Sequence, residues 1–193
     1  MTNKRYVVEK KFDYLGYKCV VTFNTMGYRC GYVGLPKEHC LYGKTYDDYL
    51  DIKKSDIEEK EISGVFPMLS LLLDEDERIS IECYFNCHEG ITYSNGGKNS
   101  NYPINSDLWW FGFDCGHCYD SNDYDLAIEY FPHLKEHLLW TKEIEGRYPI
   151  GKEIRTLEYV EKECKKLAEQ LKIYDDNKSK ECAEWVAFWQ GSQ

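Results

Sequence analysis

Between Glu153 and Ile173, the residues Leu157, Val160, Cys164, Leu167 and Leu171 recur at steps of three and four. That spacing places all five on one stripe of an α-helix, with Lys and Glu on the opposite face. A stripe this long must be buried against something, and the N-terminal part of the chain supplies a sheet. Tyr6–Phe12 and Lys18–Phe23 flank Asp13-Tyr14-Leu15-Gly16, and Thr25-Met26-Gly27 leads into Tyr28–Leu35, which Pro36 ends. These runs are β-branched and aromatic, with Gly at the breaks, as in strands. Ile79, Ile81, Cys83, Phe85 and Cys87 alternate with polar residues, the pattern of a half-buried strand. Leu108–Asp114 is apolar enough for an interior strand. Strand signals early and helix signals late predict an α+β fold. A mainly antiparallel sheet from residues 5–35, 79–87 and 108–114 packs against a long C-terminal helix over 153–173. Residues 1–150 form the α+β core, with an acidic insertion near 45–63, and residues 151–193 form a helical segment packing on it.

The remaining stretches follow their breakers. Residues 37–50 and 94–107 read as loops, and Pro132 splits any helix in Asp123–Trp140. Residues 51–63 read as a short exposed helix or an insertion, and Pro67 interrupts the apolar run Val65–Leu73. Asp175-Asp176-Asn177-Lys178 reads as a joint, after which Ser179 caps a last helix with Cys182, Trp185, Val186 and Trp189 on one face.

Charge is unevenly spread. Residues 1–37 carry net +5 and residues 38–138 net −14, within a chain of net −10. An acidic middle argues against direct binding to a phosphate backbone and favours docking onto a basic protein surface. Tyr46, Asp47, Asp48, Tyr49 and Asp51 are the candidate partner-binding residues, because aromatic side chains supply the anchors that charge does not. No apolar run approaches the ~18–20 residues of a membrane span. The nine cysteines are an odd count, and the start of the chain lacks a secretory apolar region, so reduced thiols in a cytosol are expected.

Two segments concentrate reactive side chains: Cys87-His88-Glu89-Gly90, and Asp114-Cys115-Gly116-His117-Cys118-Tyr119-Asp120. Each follows an apolar run, so neighbouring strands would bring His88, His117 and an Asp together at one sheet end. His88, Asp114, His117 and Asp120 are the candidate catalytic residues, since an imidazole oriented by a carboxylate suffices for general-base hydrolysis, with or without metal. A four-cysteine zinc site fits poorly, because Cys83 and Cys87 on an extended strand lie roughly 13 Å apart. No cofactor is expected; the alternative, a zinc site, would draw on Cys87 or His88 with Cys115, His117 or Cys118, with His88, Cys115 and His117 the candidate ligands. Asp114 has a plainer role open to it, bonding loop amides.

Cys30-Gly31-Tyr32-Val33-Gly34-Leu35-Pro36, His88-Glu89-Gly90-Ile91-Thr92-Tyr93 and Trp109-Trp110-Phe111-Gly112-Phe113-Asp114-Cys115-Gly116-His117 resemble the pattern of a family of small proteins carried by bacteriophages and prophages. The resemblance covers roughly residues 28–173. The family has His-Gly-Gly where this chain has His88-Glu89-Gly90, and Cys-Ala-His-Ala-Gly-Asp where it has Cys115-Gly116-His117-Cys118-Tyr119-Asp120. Its matching polar residues are His39, His88, Asp114, His117 and Asp120, which leaves Cys87 and Cys118 outside the pattern. The resemblance implies a phage or mobile-element setting in the cytoplasm of a bacterial host and a polar pocket, not a reaction. Two functions are therefore expected. One is an accessory protein that binds and inhibits a bacterial defence nuclease or sensor, as anti-CRISPR proteins do. The other is a His/Asp hydrolase.

Overall fold

The structure is a computed structural model, and it describes residues 5–53, 78–98, 100–147 and 153–191. Its main sheet has five antiparallel strands in the order β1-β2-β3-β7-β6. These are β1 (Tyr6–Tyr14), β2 (Tyr17–Asn24), β3 (Arg29–Leu35), β6 (Tyr93–Gly96) and β7 (Trp109–Asp114). A separate pair, β4 (Tyr49–Lys53) with β5 (Arg78–Ser80), sits beside it. The helices are α1 (Ile81–Tyr84), α2 (Tyr124–Tyr130), α3 (Lys135–Gly146) and α4 (Leu157–Gly191), with a 3-10 turn at Pro132–Leu134 between α2 and α3.

The predicted α+β architecture holds. On one sheet face Cys19, Val21, Val33, Phe111 and Phe113 meet Val160, Cys164, Leu167 and Leu171 of α4 in the largest core cluster. Burying a Val or Leu of this stripe stabilises the fold by roughly 1.5–3 kcal/mol. Close approach needs Gly31: a Cβ there would stand 2.7 Å from Cys164 Sγ and 2.4 Å from the Phe113 ring. The other face carries Val20, Tyr32 and Trp110 under the 100–108 loop, while α2 and α3 close over Phe23 on the side of Cys19 and Val21. All seven residues of β3 are therefore buried. Trp110 is core and Trp109 half-buried, since adjacent strand residues face opposite ways.

Three expectations fail locally. Residues 79–87 do not form a strand of the main sheet. Only Arg78–Ser80 pairs, with β4, and the place beside β7 belongs to β6, part of the predicted 94–107 loop. The carbonyls of Asp48 and Tyr46 accept from the amides of Ile81 and Glu82, which starts one helical turn. Ile81 and Phe85, four apart, still reach the core. The long helix starts at Leu157 rather than 153: Thr156 accepts the Tyr159 amide on its Oγ1, an N-cap bond, and 153–156 is a strap leading in. Finally, Asp175-Asp176-Asn177-Lys178 is not a joint. The helix runs through it, with no Gly or Pro to break it, because Tyr174 is buried and Asp175 accepts from the Cys40 amide at 2.8 Å. The 45–63 insertion beyond Lys53 and the Val65–Leu73 run lie outside the described residues, as do the side chains of Cys182, Trp185, Val186 and Trp189.

Candidate functional site

The site forms where three chain segments meet beside the N-terminal end of α4. The first follows α1: Glu89 and Gly90 both have positive φ (52° and 96°), and the Gly90 amide bonds the Cys87 carbonyl. This tight turn carries His88 on its flank before Thr92 joins β7 through the Gly112 carbonyl. The second follows β7: the Asp120 amide bonds the His117 carbonyl, and Asp120 Oδ2 accepts from the His117 amide at 3.1 Å. The third is the strap into α4, where the Ser121 amide bonds the Glu153 carbonyl and the Glu153 amide the Tyr119 carbonyl. It delivers Arg155 and, one turn later, Tyr159.

Asp120 is the hub. Its side chain is only 2% exposed. Arg155 Nε donates to Oδ1 at 2.7 Å, and His88 Nε2 to Oδ2 at 2.8 Å. Burial pushes the Asp120 carboxyl upward, but the hydrogen bonds from Arg155, His88 and the His117 amide outweigh it, so its pKa lies below the ordinary value. On the far side of the ring, His88 Nδ1 stands 2.9 Å from the Tyr159 hydroxyl. Burial, then Glu163, pushes Tyr159 up to about 12, so it keeps its proton and donates. His88 is thereby gripped from both sides, with Nε2 on Asp120 and Nδ1 on the Tyr159 hydroxyl. Behind the hub, the Arg155 carbonyl accepts from Arg29, which is paired with Glu9 at 2.7 Å.

His117 completes the cluster. Its ring lies 5.3 Å from that of His88, and its Nδ1 is 3.5 Å from Asp120 Oδ2. That nitrogen is buried and makes no hydrogen bond among the described residues. The His117 side chain is nevertheless 28% exposed, against 4% for His88. His117 is the member of the trio that meets solvent.

The expected approach of His88 and His117 with an Asp nearby is thus present, and the Asp is Asp120. Asp114 does something else: its oxygens accept from Gly116 N and Thr92 Oγ1, each at 3.0 Å, tying two loops together. Cys115 is not among the ligand atoms that gather, because it is buried in the main core and burial raises its thiol pKa. Asp120 takes its place in the expected ligand set. His88, His117 and Asp120 offer ligand atoms within 4.8 Å of one another, a possible metal-binding group. Arg155 and Tyr159 were not anticipated: nothing in their spacing distinguishes them from solvated helix residues.

A second such group is His39, Cys40 and Asp175. There, His39 Nδ1 accepts from the Leu41 amide at 3.0 Å, and Nε2 lies 3.3 Å from the Leu171 carbonyl. Burial holds this imidazole below its ordinary pKa despite Asp175. The Cys40 thiol is pushed up to about 12 by partial burial and its hydrogen bond to Asp175. This group is a latch between the 36–44 turn and α4.

Of the predicted partner surface, Tyr49 is 67% exposed, and Asp47 and Asp51 are exposed. Tyr46 is half-buried against the core, and Asp48 Oδ2 caps its own loop on the Thr45 amide. No helix among the described residues is long and apolar enough to cross a membrane. No family model, curated protein or solved structure matches the chain.

Proposed function

We propose that the His88–His117–Asp120 cluster is the centre of a hydrolase. One observation carries the reading: a deeply buried carboxylate holds one fixed imidazole and stands behind a second one that reaches solvent. The arrangement has the logic of a carboxylate-oriented base. With Nδ1 of His117 turned to Asp120, its other ring nitrogen is free to take a proton from water. The water oxygen bonds to the electrophilic carbon or phosphorus of the substrate, the bond to the leaving group breaks, and His117 returns the proton to the leaving group. Asp120 keeps its charge throughout, because Arg155 stays on Oδ1 and stabilises the carboxylate. The test is turnover of nitrophenyl esters, phosphodiesters and glycosides by the purified chain and its His117→Gln variant. Turnover is expected to fall ~10²–10⁴-fold on losing the base. An unchanged rate, or no turnover of any of the three classes, sinks the reading.

A second reading is the phage or mobile-element inhibitor of a bacterial defence component. It is favoured by the exposed Tyr49 flanked by exposed Asp47 and Asp51. Asp51 faces Arg78 at 3.7 Å, an exposed pair of little strength that leaves its charge available to a basic partner. Asp47→Lys with Asp51→Lys is the sharp variant, because Asp48 is spent on its loop. Inhibition of candidate defence nucleases at low salt is expected to weaken, and unchanged inhibition removes this surface from the interface.

A further inference from the structure

We propose that His88 Nε2, His117 Nδ1 and Asp120 Oδ2 together hold one divalent transition-metal ion of the zinc class. The proposal takes its chemical purpose from the hydrolase reading, but the site stands on geometry of its own. The three atoms lie within 4.8 Å of one another, with Oδ2 2.8 Å from Nε2 and 3.5 Å from Nδ1. Ligands at ~2.0–2.2 Å around a tetrahedral ion stand roughly 3.3–3.6 Å apart, so small side-chain rotations close the set.

Two further observations point the same way. His117 Nδ1 is a buried nitrogen with no hydrogen-bond partner among the described residues. Such a group is costly to leave unmet, and a metal ion satisfies it. The outer contacts are also those that ligands need. Arg155 occupies Oδ1 of Asp120 and leaves Oδ2 for the ion. The Tyr159 hydroxyl sits on the far nitrogen of His88, where it can orient the ring.

The latch supplies an internal contrast. His39 offers a similar gathering of atoms, yet both ring nitrogens are engaged by the backbone, and Asp175 Oδ1 accepts from the Cys40 amide. Neither His39 nitrogen is left without a partner, and the metal is assigned to the first group alone.

Bound metal changes how the residues work. Three protein ligands leave a fourth position for water, whose pKa a zinc ion lowers to ~7. That water, rather than one activated by a free His117 imidazole, then becomes the nucleophile.

The experiment is a cobalt(II) titration of the full reduced chain, followed by displacement with zinc. One equivalent is expected to bind, with the d–d bands of a nitrogen/oxygen site and no thiolate charge-transfer band. Cys118→Ser, an exposed neighbour, leaves the titration unchanged. Tyr159→Phe weakens affinity ~10–100-fold, and His117→Gln weakens it further, with thermal melts confirming that each variant is folded. No uptake, a thiolate band, or His117→Gln binding like the parent overturns the site. Uptake without hydrolysis sinks the hydrolase reading and leaves the metal site standing. Hydrolysis by a chelator-treated chain that takes up no metal does the reverse.

Discussion

Two groups of similar make-up lie along α4 and do different work. Near Leu157, His88 and His117 share Asp120; fourteen residues on, at Leu171, His39 sits with Cys40 and Asp175. Each holds a buried His and a carboxylate of lowered pKa. They differ in what is left unsatisfied. In the latch, every nitrogen of His39 meets a main-chain group, so the imidazole serves as a spacer between a turn and a helix. In the site, the carboxylate collects Arg155, His88 and a backbone amide, yet one nitrogen of His117 is left with no bond. Residue type does not separate the two groups; the unmet hydrogen-bonding capacity does.

The largest expected effect comes from removing the hub. Asp120→Ala leaves the half-buried Arg155 guanidinium, stacked over Tyr159, without its Oδ1 acceptor, and strips His88 Nε2 of its own. Breaking a buried pair this way costs ~3–5 kcal/mol, measured as a shift in urea midpoint at constant slope. Asp175→Ala, in the half-exposed latch, is expected to cost less. Equal losses would erase the contrast between the two groups. The pH windows differ as well. The folded pKa of Asp120 is depressed, so its stability is fully present above the unfolded value of ~3.9 and is lost as pH falls through the folded one.

His39 acts in a higher window. Burial lowers its folded pKa, so the unfolded chain takes up a proton first as pH falls. The latch is at full strength above pH ~6.5 and weakens below it, by at most ~1.4 kcal/mol per pH unit, until the folded imidazole also titrates. Urea melts from pH 7.5 to 5 are expected to show this slope in the parent and a shallower one in His39→Gln. An identical slope in both would mean that another group sets it.

Much of this was legible in the sequence, for definite reasons. The first three strands announce themselves through alternation and Gly-bearing turns, and α4 through a stripe that only a helix makes continuous. The 79–87 segment misled because Ile81 and Phe85 satisfy both periods, two and roughly four. What decided between them was the pair of carbonyls offered by Tyr46 and Asp48, a contact no local pattern encodes. His88, His117 and Asp120 could be read because polar residues follow strongly apolar runs. Arg155 and Tyr159 could not, since their roles exist only once the 153–156 strap crosses the 119–121 turn.

The smallest expected effect concerns the turn that carries His88. Among the described residues, only Leu15 and Glu89 take positive φ without being glycine. The left-handed conformation costs an L-residue ~1–2 kcal/mol, and glycine returns ~0.5–1 of that as lost backbone entropy. Glu89→Gly is therefore expected to stabilise the fold by ~0.5–1 kcal/mol, seen as a higher urea midpoint. The latch turn around His39 has no such residue to relieve. If Glu89→Gly instead destabilises, its side chain makes a contact worth more than the strain. If it stabilises and also lowers cobalt affinity, the strained backbone is what aims His88 at the hub, and the turn belongs to the site rather than to its scaffold. Stabilisation with unchanged affinity would place the aiming wholly in Tyr159 and Asp120, the two groups that grip the ring from opposite sides.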